Sequence, residues 1–331
     1  MRIWLLALVA LSCEACGGCT PSLPDPDDGN DSIRDSAETG DSTATVDTSP
    51  PPPCDFPEVE PNDYTVGPDA DPPNVVAMEK WACGEIDTMT DTDRFLVTAD
   101  GPANWIRFDV VAAQEGSSLD ASLLLLDDAY GAAVDDSDAN SIFTEDPNDP
   151  VLVFPAPPMP HTFDLVVRPI DFAAGKDDYH WKLRGTVVKA PLTWDLDEVE
   201  VNDPGLGGTL EVLDSGERVF GTFSSATDVD AFLFDVPKVS EGQKVQVTAD
   251  VDAFRYGSPS MSKLSIVSPT GVVVKSDRWH DEFGRLGDPW YQFTPKEVGN
   301  YMVFVDLKEG TGSLAYWYVL SVQVDILDDA L

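Results

Sequence analysis

Positive charge is scarce in this sequence. Its 331 residues hold 20 Lys and Arg against 60 Asp and Glu, a formal charge of −40. Phosphate backbones and anionic headgroups attract basic surfaces, so nucleic-acid binding and adsorption to a membrane surface are excluded. Histidine is scarcer still, with only His161, His180 and His280, which thins the supply of general bases and zinc ligands. The chain also lacks a His-Glu-x-x-His, a Gly-x-Ser-x-Gly and a glycine-rich phosphate loop. No capped window of helical period reaches 12 residues, so long helices are not expected. The apolar run Ile3 to Leu11 has nine residues, short of the ~20 that span a bilayer.

That run, behind Met1 and Arg2, reads as the core of a signal peptide over residues 1–12. Cys13 follows Ala10, Leu11 and Ser12 and is the expected site of lipidation, as in bacterial lipoproteins; Cys16 and Cys19 lie close behind it. Secretion without a lipid is the alternative. Residues 13–57 are rich in Asp, Ser, Thr and Pro and include the run Pro50 to Pro53. This composition buries too little apolar surface to offset chain entropy, so a disordered acidic linker is expected. The localisation expected is exported: a lipoprotein of the outer membrane or cell surface, or otherwise a periplasmic or secreted protein. Contact with a membrane is then through an N-terminal lipid alone.

Beyond residue 57 the sequence repeats itself at a spacing near 140 residues. Glu58-Val59-Glu60-Pro61-Asn62-Asp63 returns as Glu198-Val199-Glu200-Val201-Asn202-Asp203, identical at five of six positions. Cys83 to Val97 aligns without gaps on Phe220 to Phe234, with six of 15 positions identical: Gly84/Gly221, Thr90/Thr227, Asp91/Asp228, Asp93/Asp230, Phe95/Phe232 and Leu96/Leu233. Phe163, Leu165 and Val167 answer to Tyr301, Val303 and Val305; Tyr179, Trp181 and Leu183 answer to Tyr316, Tyr318 and Leu320. Two copies of one domain are expected, at 58–189 and 195–325. Each consists of short Val-, Ile-, Phe- and Tyr-rich runs between Gly, Pro, Asn and Asp turns, with period-two alternation in Tyr301/Val303/Val305 and Tyr316/Tyr318/Leu320/Val322. The fold class expected is all-β: two tandem jelly-roll-like β-sandwiches after a disordered acidic linker.

The string Glu-Val-Glu-x-Asn-Asp, followed by Gly, an Asp-x-Asp and an aromatic residue, resembles the bacterial pre-peptidase C-terminal (PPC) domain. That family is a jelly-roll sandwich often appended to secreted peptidases, and it includes the collagen-binding domains of clostridial collagenases. The resemblance covers both repeats. No peptidase domain accompanies them here.

Residues i and i+2 of an extended segment share a face. Glu58 with Glu60, and Glu198 with Glu200, therefore point together. Asn62 and Asp63 (Asn202 and Asp203 in the second copy) follow at a turn, and Asp91 and Asp93 (Asp228 and Asp230) add two carboxylates at the next strand. A set of about six oxygens without nitrogen or sulfur suits calcium. The resemblance implies the same, because in the collagen-binding relatives the acidic residues of this motif bind calcium and order the preceding linker. The bland alternative is that these side chains only cap turns in an acid-rich chain.

Cys54 stands four residues before the first motif, and Trp194 stands four before the second; Cys83 aligns with Phe220. Both cysteine positions are thus aromatic in the other copy. The two positions are expected to touch in each copy, through a Cys54–Cys83 disulfide in one and an aromatic pair in the other. Two free thiols are the alternative. Trp317 alternates with Tyr316 and Tyr318 and is expected on the outer sheet face. There it is either an exposed contact for a polymer or protein, or a residue packed on the neighbouring domain. No catalytic residue is assigned. The function expected is non-catalytic recognition of an extracellular protein or polysaccharide by a monomer. An accessory role to a separately encoded secreted peptidase is the alternative, and a hydrolase a distant one.

Overall fold

The computed structural model describes residues 53–63, 72–88, 90–101, 103–126, 134–136, 142–143, 146, 148–170, 178–199, 210–276 and 288–328. Cys13, Glu200, Asn202, Asp203 and His280 lie outside them, as do the signal peptide and most of the linker.

The β-branched and aromatic runs are strands. The first set comprises β1 (Phe56–Pro57), β2 (Asn74–Ala77), β3 (Trp81–Glu85), β4 (Asp93–Ala99), β5 (Trp105–Val111), β6 (Ala121–Leu125), β7 (Val134–Asp136), β8 (Val151–Pro155), β9 (His161–Pro169) and β10 (His180–Val188). The second comprises β11 (Leu196–Asp197), β12 (Glu211–Leu213), β13 (Arg218–Thr222), β14 (Val229–Val236), β15 (Gln243–Asp252), β16 (Met261–Val267), β17 (Val273–Ser276), β18 (Trp290–Phe293), β19 (Gly299–Glu309) and β20 (Trp317–Asp328). The first set forms two five-stranded sheets, β1-β3-β10-β5-β8 and β2-β4-β9-β6-β7; the second forms β11-β13-β20-β15-β18 and β12-β14-β19-β16-β17. Adding ten to each label of the first pair yields the second. The protein is all-β, built from sandwich-like pairs of mixed sheets. Most neighbours are antiparallel, but β1 and β2 join β3 and β4 in parallel, and β11 and β12 join β13 and β14 likewise.

Alternation places one face of each strand in the core. Phe95, Val97 and Ala99 of β4 are buried, as are Tyr301, Val303 and Val305 of β19. Aromatic rings bridge the two sheets of the first repeat: Phe108 of β5 meets Phe163 of β9 edge-on at 5.1 Å, and Trp181 of β10 meets Phe95 of β4 at 5.2 Å. Such contacts contribute beyond the area they bury.

One device recurs in both repeats and has no counterpart in the sequence reading. A 3-10 turn follows β5 (Ala113–Glu115) and another follows β15 (Phe254–Tyr256). A buried aspartate fastens each. Asp149 accepts from the amides of Ala112 (2.9 Å), Ala113 (2.8 Å) and Gln114 (3.0 Å). Asp288 accepts from Ala253 (3.0 Å), Phe254 (2.7 Å) and Arg255 (3.1 Å). Burial pushes Asp288 up to about 7 against the downward pull of those amides. Each aspartate precedes a proline, Pro150 or Pro289, a repeated dipeptide that was the available signal. Asp288→Asn replaces one acceptor oxygen by a donor facing a buried amide. It is expected to lower unfolding free energy by about 1–3 kcal/mol, read from urea midpoints; an unchanged midpoint would contradict the role.

Candidate metal centre

The segment that opens each repeat is laid along its sheet by backbone bonds. Glu58 N donates to Cys83 O and Glu198 N to Phe220 O, each at 2.8 Å. The side chains of these glutamates then fold over a glycine of the neighbouring strand. A Cβ on Gly84 would fall 2.2–2.5 Å from the Glu58 carboxylate, and one on Gly221 would fall 2.7 Å from Glu198 Oε2. Only glycine leaves this cradle open. One oxygen of each carboxylate accepts from the amide just beyond the glycine: Glu85 N to Glu58 Oε1 at 2.7 Å, and Thr222 N to Glu198 Oε1 at 2.6 Å.

In the first repeat the acidic residues converge. Ligand oxygens of Glu58, Glu60 and Asp93 all lie within 4.8 Å of one another. Asp93 sits at the start of β4, fully buried, and accepts from Trp181 Nε1 at 2.8 Å. The buried Asn62 amide donates from Nδ2 to Asp93 Oδ1 (3.1 Å) and Glu60 Oε1 (3.0 Å) in the orientation its neighbours favour. Asp63 pairs with Asp93 through an isolated bridge and accepts from Thr92 N at 3.2 Å. Asp91 accepts from Asp87 N at 2.6 Å, closing the turn before β4.

Burial raises these carboxyls first, and mutual repulsion raises them further. Glu58 rises to about 7 through desolvation, with Glu60 and Asp91 adding. Asp93 rises to about 10 through desolvation and then the nearby Glu58. Asp91 rises to about 6 through desolvation and Glu60. With all groups ionised, the buried Glu58 Oε2 has no hydrogen-bond donor. A proton kept by Asp93 supplies one, and so would a cation. A raised acid pKa means that the native state holds protons the unfolded chain releases. The stability they give is complete below about pH 4 and is lost as pH rises through the folded values. Without metal, the melting temperature is therefore expected to fall from pH 5 to pH 8.

In the second repeat Glu198 and Asp230 do not face each other bare. Tyr318 of β20 places its hydroxyl 3.1 Å from Glu198 Oε2 and 2.8 Å from Asp230 Oδ2. Asp228 accepts from Ser224 N, as Asp91 does in the first copy.

The cysteine positions touch in both copies. Cys54 and Cys83 form a disulfide, with Cα atoms 5.9 Å apart. Trp194 and Phe220 stack with centroids 4.7 Å apart. Of the two alternatives for Trp317, an exposed contact or packing on the neighbouring domain, the structure shows the second. Trp317 does point away from Tyr318, but it is fully buried, because the first repeat covers that face. Its ring meets Trp105 at 5.0 Å and Phe220 at 6.2 Å, and Nε1 donates to Val153 O at 2.6 Å. Val153 N in turn donates to Gly257 O at 2.7 Å. Edge strand β8 thereby has backbone groups capped by the second repeat. Beside this cluster lies a cleft of about 530 Å³, whose walls include Asn104, Trp105, Val187, Lys189 and Trp194. His161 rests edge-on against Phe163, and His180 sits on β10 opposite Glu85. Among the described residues no helix is long and apolar enough to cross a membrane.

The sequence matches no family model and no curated protein. Among solved structures it is similar to the pre-peptidase C-terminal domain of a Bacillus anthracis collagenase, at 14% identity and a TM-score of 0.26, over 35% of this chain and 95% of that one. It is also similar to the Salmonella Typhimurium PliG, a periplasmic inhibitor of g-type lysozyme, at 16% identity and TM-score 0.24, over 36% and 100%. Tandem CBM51 modules of a family 98 glycoside hydrolase from Streptococcus pneumoniae match at 12% identity and TM-score 0.22, over 72% and 81%.

Proposed function

We propose that this protein is a non-catalytic exported module pair of the PPC type, whose first repeat is fastened at its entrance by calcium. The observation that carries this reading is the meeting of Glu58, Glu60 and Asp93 within 4.8 Å, with Glu58 Oε2 buried and lacking a donor when the cluster is ionised. An all-oxygen set of this kind fits a hard cation that takes 6–8 ligands. Glu58, Glu60 and Asp93 would hold it, with Asn62, Asp63 and Asp91 at its edge. The ion would supply charge neutralisation and would join the opening segment to β4. The disulfide supports an oxidising compartment, and the N-terminal signal and Cys13 support export with a lipid anchor.

In this reading the module pair presents a surface to an extracellular polysaccharide or protein. The cleft beside Trp194 supports it, because Asn104 and Lys189 line it together with Trp105, Val187 and Trp194. Retention on insoluble polysaccharide is expected to fall in Lys189→Glu and Asn104→Ala; equal retention would point to another surface.

Thermal melting with calcium and with chelator tests the metal. At 100 times the dissociation constant, ligand linkage adds about 2.7 kcal/mol. Calcium must displace the proton that Asp93 holds, so its affinity is expected to rise by up to about tenfold per pH unit above neutrality. A melting temperature indifferent to calcium at pH 8 would refute the metal.

A further inference from the structure

The two opening motifs are nearly identical in sequence, and Glu58 and Glu198 dock on Gly84 and Gly221 in the same way. Among the described residues, one difference is the residue facing each glycine across the sheet. Trp181 pairs with Gly84, and Tyr318 pairs with Gly221, at equivalent positions of β10 and β20. The indole of Trp181 has one N–H, aimed at Asp93 alone, and leaves the second Glu58 oxygen without a donor. The hydroxyl of Tyr318 reaches both carboxylates, Glu198 and Asp230. It occupies the bridging position between the two oxygens. The Tyr318 side chain is fully buried and lies within 2.4 Å of where a Gly221 Cβ would stand, so glycine makes room for its hydroxyl there.

From this geometry we infer that the second repeat binds no calcium at Glu198 and Asp230, because the Tyr318 hydroxyl fills that place, and that metal dependence is confined to the first repeat. A calcium ion needs oxygens at about 2.3–2.6 Å, and the phenol oxygen already lies against both of the oxygens it would take. The chain thus carries one fold in two forms, with a cation at one entrance and a phenol at the other. Calcium depletion loosens the first repeat and spares the second.

This inference rests on the calcium reading only for the first repeat, and equilibrium dialysis of the full chain against calcium separates the two. The wild type is expected to bind one equivalent that is lost in E58Q/E60Q. Y318F and Y318W are each expected to gain one, and that gain is expected to vanish when E198Q is added. Y318W installs the residue of the first repeat at the same register, which guards against misfolding of Y318F; calorimetry verifies folding of each variant. An E58Q/E60Q chain that keeps calcium until Glu198 is replaced would overturn the inference. So would folded Y318F and Y318W chains that bind no more calcium than the wild type. A wild type that binds none, beside a Y318F chain that binds one equivalent, would sustain the inference and refute the calcium reading of the first repeat.

Discussion

Trp317→Ala is expected to destabilise the protein by about 3–5 kcal/mol, the range for truncating a buried tryptophan. At ~2–4 °C per kcal/mol for chains of 150–250 residues, the melting temperature falls by roughly 6–20 °C. The indole is fully buried, packs on Trp105 and Phe220, and donates to Val153 O. Ser258 Oγ holds the backbone of the same residue on both sides, at 3.1 Å from its N and 2.7 Å from its O. The loss falls on the contact between the repeats, not on either sandwich core. Residues Pro50–Leu331 form one compact unit, and the wild type is expected to unfold in one calorimetric transition. In Trp317→Ala that transition is expected to divide in two. Trp105→Ala should behave alike, and the double variant should cost less than the sum, since the two rings share one contact. A single transition at the wild-type temperature would show that the aromatic cluster couples nothing.

That contact marks where the sequence stopped being legible. Period-two alternation located Tyr316, Tyr318, Leu320 and Val322 on an inner face, and all four are buried. It set Trp317 on the opposite face correctly, but alternation within one strand carries no information about what covers that face. The strand Val151–Pro155 shows the same limit from the other side. Its residues Val151 to Phe154 are all buried, one set by the core and the other by the second repeat, so it reads as an unbroken apolar run between prolines with no period at all. Strands β1, β2, β11 and β12 were invisible for another reason. They have two to four residues each and join parallel partners, a pairing that leaves no local pattern. Comparison of the repeats was a better guide to contacts than periodicity. Cys54 and Cys83 exchange for Trp194 and Phe220 because one steric relation is filled in two chemistries. The same comparison failed at Tyr318, since a tyrosine answering to a tryptophan looks like a neutral change. Only the register opposite Gly221 brings its hydroxyl between two carboxylates.

Removing the disulfide in Cys54→Ser/Cys83→Ser is expected to cost about 3–4 kcal/mol in the chain-entropy description, for a loop of the size set by its 29-residue separation. The covalent link matters here because it reinforces a short set of hydrogen bonds along the opening segment. Strand β1 has two residues. Asp55 N donates to Trp81 O at 3.0 Å, its carboxylate accepts from Trp81 N at 3.1 Å, and its ion pair with Lys80 is exposed. Glu58 and Glu60 follow directly on this segment, so freeing Cys54 releases the carboxylates from the cradle at Gly84. Two readouts therefore move together. The melting temperature is expected to fall, and on the calcium reading proposed above calcium affinity falls with it, because binding would then have to order the segment as well as neutralise it. Linkage would make the effect reciprocal: calcium would stabilise the reduced protein only after first restoring the order that the disulfide supplies without it. The second repeat provides the internal control. Its equivalent positions are held by the Trp194 and Phe220 stack, which reductant leaves untouched. In a Trp317→Ala background, where the repeats melt apart, reductant should lower one transition and leave the other in place. If both transitions shift equally, or if calcium affinity is the same in reduced and oxidised protein, the disulfide does not organise the proposed metal centre.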